Sequence, residues 1–179
     1  NAQNLGTETI TVTGAGPGDA GAIINSSGAA QLNALRFVTL AGPTTFGGAG
    51  RWDIRANPTA TLTGNNFTLT KTGANEVWLV DLAGTGLGDI NVLQGTLGIQ
   101  DSTTLGNTAS NLTLAAGATL SLWNTDGNAL NKKLVMNGGT LNSAASTTYR
   151  IEFFSSPTAD ASRPGADDSH DRRQIRCAS

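Results

Sequence analysis

The sequence predicts an all-β fold, a right-handed parallel β-helix with about 22 residues per coil. Composition, a recurring glycine and two-residue alternation point to it. Of 179 residues only 13% are charged and 5% aromatic, whereas 23 are Gly, 25 Thr and 16 Asn. The strong helix formers Glu and Lys are scarce. Thr, Val and Ile suit pleated strands, and Gly and Asn tolerate the positive φ of tight turns. Gly73, Gly95, Gly117 and Gly139 lie 22 residues apart. A unit of that size cannot bury its own apolar face, so units of this kind stack into a solenoid.

The elements follow in chain order. Thr7 to Thr13 alternates, Ala22 to Ile24 is a short apolar strand, and Leu35 to Leu40 is another. Arg51 to Arg55 puts Trp52 and Ile54 on one face and Arg51, Asp53 and Arg55 on the other. Residues 1–59 read as irregular early coils and about 60–142 as regular repeats. In each regular unit an alternating strand leads into a glycine turn, a second strand and a polar loop, such as Asp101–Thr104 or Asn124–Gly127. The columns Ile90/Leu112/Leu134 and Val92/Leu114/Met136 should form the core, with the four glycines in one column at a corner. No window keeps a 3.6-residue rhythm, which leaves strands as the repeating element.

The β-helix is expected to reach residue 154. Residues 149–154 alternate and are expected to act as a capping strand over the open end, where bare strand edges invite end-to-end self-association. Residues 155–179 carry 8 charged residues in 25, with the only His and the only Cys, and read as a non-repeat charged tail or cap. The chain opens at Asn1 without Met or a signal peptide and is read as a processed or excised piece.

A net charge of −2 and a pI near 5.2 give no basic face for nucleic acid. No run approaches the roughly 18 apolar residues of a membrane span, so no membrane insertion by this segment is expected. One cysteine, Cys177, allows neither an internal disulfide nor a Cys-based metal site.

The segment Leu69-Thr70-Lys71-Thr72-Gly73, with Val77-Trp78-Leu79-Val80 and Asp89-Ile90-Asn91-Val92-Leu93-Gln94-Gly95-Thr96-Leu97, resembles the autotransporter-associated β-strand repeat. The resemblance covers about residues 60–142 and extends more loosely back to about residue 30. It implies a β-helical stalk of a large bacterial protein, exported to the cell surface or the medium. That family shares no catalytic residues, so none is carried over.

Chemistry-bearing residues are few. Gly16-Pro17-Gly18-Asp19-Ala20-Gly21 fits a dinucleotide fingerprint, but a poor helix follows it and no acid appears before Asp53. It reads as a glycine turn, and no cofactor is expected. His170 and Asp171 are the weak metal candidates, with too few ligands for a site. Should the chain be a carbohydrate-active hydrolase or lyase, outward carboxylates would carry acid/base work, and Asp53, Glu76, Asp81 and Asp101 are the candidates. At 22-residue spacing no two acids share a column, which favours a non-enzymatic role. Trp78 and Trp123, with Arg51 and Arg55, are the candidates for a shallow strip binding a polysaccharide or cell-surface glycan. Thr-x-Thr-x-Thr at 9–13, 59–63 and 68–72 suggests a flat, ice-binding threonine array. At the same spacing Thr70 is followed by Val92 and Leu114, so no array is expected.

Overall fold

The computed structural model of the chain describes residues 5–125 and 130–143. The predicted capping strand 149–154, the charged segment 155–179, His170, Asp171 and Cys177 lie outside the described residues. In chain order the strands are β1 (Thr9–Gly14), β2 (Ile23–Asn25), β3 (Gln31–Leu35), β4 (Phe37–Gly48), β5 (Trp52–Thr63), β6 (Leu69–Lys71) and β7 (Glu76–Thr85). They continue with β8 (Ile90–Val92), β9 (Thr96–Gln100), β10 (Thr104–Leu105), β11 (Asn111–Leu114), β12 (Thr119–Trp123), β13 (Lys133–Met136) and β14 (Thr140–Ser143). Every pairing among them is parallel. The result is a β-solenoid of about 5 turns with about 22 residues per turn.

The strands form three ladders, the third of them ending at β10 among the described residues. One runs from the end of β4 through β6, β8, β11 and β13. A second runs from the start of β5 through β7, β9, β12 and β14. The third joins β1, the start of β4, the ends of β5 and β7, and β10. The sequence pattern predicts only two strands and a polar loop per coil. The third ladder escapes it because its segment there, Ser102–Leu105, has little apolar alternation. Thr103 is nonetheless buried, its hydroxyl donating to the Leu79 and Gln100 carbonyls.

The core is a stack of inward columns. Leu69, Ile90 and Leu112 are in register and at most 1% exposed, as are Val77, Leu97 and Leu120. Buried Leu side chains of this kind each contribute about 2–5 kcal/mol against truncation to Ala. The two predicted core columns form, but their last members differ. Leu134 is half-buried and Met136 is exposed.

The corner glycines also depart from a strict period. Gly73, Gly95 and Gly117 have φ of 75°, 66° and 79°, but in the next coil Gly138, with φ 82°, takes the left-handed position in place of Gly139. The turns also differ in length. Met136 and Thr140 flank a turn one residue shorter than the one between Leu114 and Thr119.

Variable coil length overturns the expectation that no two acids share a column and the spacing used for the threonines. Asp81 and Asp101 do share a column: β7 and β9 pair Val80 with Gln100, and the next residues are these two acids. Threonines also stack, Thr11 with Thr39, Thr63 and Thr85. The adjoining column is broken by Phe37 and Ala83, so they form a single file and not a two-column array. Thr70 itself faces Asn91, not Val92.

Candidate functional site

The outward side of the second ladder carries most of the singled-out residues. Side chains alternate along its strands, so Trp52 and Ile54 point into the core and Arg51, Asp53 and Arg55 point out. Asp53 is nevertheless fully buried. Its carboxylate accepts from Arg51 Nε at 2.9 Å and Nη2 at 3.1 Å, and from Arg55 Nη2 at 2.7 Å. Fully buried between two cations, this carboxylate has no open side for a substrate.

Trp78 sits in register with Asp53 on one side and Gly98 on the other. Its indole lies over Gly98, where a Cβ would fall 2.1 Å from a ring carbon. The Arg51 guanidinium carbon is 4.8 Å from the ring centroid, and the indole Nε1 donates to Glu76 Oε2 at 2.7 Å. At 8% exposure Trp78 is a packed plug between coils, with Glu76 as its hydrogen-bond partner, and offers no open stacking face. Trp123 is the opposite case, 54% exposed at the end of the next outward column: Arg55, Val80, Gln100, Trp123. The two candidate tryptophans therefore occupy neighbouring columns, as the sequence spacing suggests.

Asp81 and Asp101 belong to a corner, not to the flat face. Asp81, Asp101 and Asn124 all adopt left-handed backbone, with φ of 46°, 55° and 49°. Asn and Asp tolerate that conformation better than other non-glycine residues. Their side chains link successive coils. Asp81 Oδ1 accepts from the Ser102 amide at 3.4 Å, and Asp101 accepts from Asn124 Nδ2 and from Gln100 Nε2. The four candidate acids thus fall into two places, Asp53 and Glu76 around Trp78 and Asp81 with Asp101 at the corner.

A shallow groove of about 380 Å³ lies at this corner, lined by Asn33, Arg36, Arg55, Asn57, Gln100 and the Asp81/Asp101 pair, among others. Two bulges build it. Three residues of β3, 32–34, oppose the single residue Asp53, and four residues of β5, 56–59, oppose Asp81. Extra residues in a strand bend it outward and re-aim side chains, which brings Asn33 and Asn57 to the rim. Arg36, one residue beyond the Leu35–Ile54 pair, lines the same groove as Arg55. Sequence reasoning finds Arg55, Asp81 and Asp101 but misses Arg36, Asn33, Asn57 and Gln100. The available signal is the broken register of the first 60 residues, which places insertions there.

Two buried lysines are also missed. Lys71 occupies an inward column between Phe46 and Val92, and its ammonium donates to the Thr72, Gly73 and Gln94 carbonyls at 2.8, 2.8 and 3.1 Å. Burial lowers its pKa to about 8. Lys132 donates to the Leu87, Gly88 and Asn107 carbonyls, each at 2.9 Å, and so ties neighbouring coils. Burial lowers its pKa too, partly offset by Asp89. Both ammonium groups satisfy corner carbonyls that turn away from the ladders.

Among the described residues no three His, Cys, Asp or Glu side chains cluster as metal ligands, and no helix is long and apolar enough to cross a membrane. Compared with protein-family models, curated proteins and solved structures, the chain matches none.

Proposed function

We propose that the chain is a structural, adhesive stalk segment of a large exported bacterial surface protein, extending and presenting a side surface. The observation that carries this reading is the use of its outward acids. Asp53, Asp81 and Asp101 hold neighbouring residues and coils together by hydrogen bonds. A repeating coil whose polar side chains are spent on its own stacking suits length and rigidity. The repeat resemblance of residues 60–142 supports export to the surface or the medium.

A polysaccharide hydrolase or lyase is the second reading, favoured by one observation, the adjacency of Asp81 and Asp101 beside a groove. Incubation with a polysaccharide panel, followed by reducing-end and unsaturated-uronate assays, separates the two. The stalk reading expects no turnover, and none altered in Asp53→Ala, Asp81→Ala or Asp101→Ala. Cleavage abolished by Asp81→Ala or Asp101→Ala would overturn it.

A further inference from the structure

The corner groove and the exposed tryptophan lie on one line. Along the solenoid axis the order is Arg36, Arg55, Val80, Gln100, Trp123, each in register with or one residue beyond a paired neighbour. Four strand spacings of about 4.8 Å make this track roughly 19 Å long. Its ends differ in chemistry. At the first end the Arg36 guanidinium has no hydrogen-bond or ion-pair partner among the described residues, and the buried Arg55 Nε has none either. The middle offers the amides of Asn33 and Asn57, beside Gln100, Asp81 and Asp101, which bond to one another and to the next coil. The far end is the open indole of Trp123.

We propose that this track binds an acidic polysaccharide whose chain runs parallel to the solenoid axis. A planar guanidinium without an acceptor fits a carboxylate in two parallel hydrogen bonds. Amide side chains at a rim suit the vicinal hydroxyls of a sugar, which both donate and accept. The flat apolar face of a pyranose stacks on an exposed indole, whose own N–H end stays wet. An extended peptide suits the track less well, because Ala56 and Val80 are the only apolar lining of its groove. Trp78 takes no part, since Arg51 and Gly98 cover it.

The inference goes beyond the stalk reading and does not depend on it. Titration calorimetry with galacturonate, glucuronate and mannuronate oligomers of graded length tests it, against the same oligomers methyl-esterified. Carboxylate oligomers should bind, more weakly at high salt and more weakly still when esterified. Arg36→Ala should weaken binding about tenfold, the loss of charge-assisted hydrogen bonds. Arg36→Lys should restore little of it. Trp123→Ala should cost a similar factor only for oligomers long enough to span the track, and Trp123→Phe should restore most of it. Unchanged thermal midpoints would show that these variants fold. No binding to any uronate oligomer overturns the track and leaves the stalk standing, as does binding indifferent to esterification or to both Ala variants. Recovery of cleaved oligomers overturns the stalk reading and leaves the track.

Discussion

Lys71 is a charge in a column that otherwise holds Phe46, Val92 and Leu114, and it carries a testable sign. Its folded pKa of about 8 lies below its ordinary value of 10.5. Between those values the unfolded chain binds more protons than the native one, so this group makes stability rise as pH rises through that window. The rise is on the order of 3 kcal/mol at 1.36 kcal/mol per unit. Urea midpoints at pH 7.5 and pH 10 should show it as a difference between the wild type and Lys71→Met; parallel behaviour would mean that the ammonium is solvated. Asp53 makes the opposite case, a carboxylate with too many partners to spare. Asp53→Ala leaves two guanidinium groups without their shared anion and should cost about 3 kcal/mol in a denaturant melt. A loss below about 0.5 kcal/mol would put the pair among ordinary surface ion pairs.

At the scale of the element, irregularities in register carry the interest. In β7, where Val77, Trp78, Leu79 and Val80 are all apolar, pairing with β5 sets the faces, whereas the alternation of Trp52 and Ile54 with Asp53 is plain in the sequence. That Trp78 is covered is not, because its cover depends on pairing with Gly98, 20 residues on and not 22. Gly98→Ala should therefore push the indole off β9, break its bond to Glu76 and its contact with Arg51, and destabilise the protein by about 1–3 kcal/mol. Tryptophan emission should shift to the red as Trp78 meets water. An unchanged spectrum and midpoint would show that the indole yields without cost. The bulges of β3 and β5 make the same point on a larger scale, since their extra residues form the groove walls.

For the whole molecule, each coil is stabilised by its two neighbours, and stability depends on position along the stack. Leu112 is packed between Ile90 and Leu134 and fully buried, whereas Leu134 is half-buried. Leu112→Ala should cost about 2–5 kcal/mol and Leu134→Ala distinctly less. Equal losses in urea unfolding would mean that the last described coil is as well covered as the middle ones.

Composition, the 22-residue glycine rhythm and two-residue alternation determined the solenoid, its core columns from Ile90 to Leu112 and Val92 to Leu114, and the outward setting of Asp53 and Trp123. These are local properties, legible because a strand repeats every two residues and a coil returns at a nearly fixed distance. Tertiary structure alone decided the third ladder, the burial of Asp53, the plugging of Trp78, the stacking of Asp81 on Asp101 and the union of Arg36 with Arg55. Each depends on how many residues a given coil spends between ladders, and the offsets vary from coil to coil. A single inserted or omitted residue leaves the local pattern intact but changes which side chains meet across 4.8 Å, the approximate spacing of neighbouring strands.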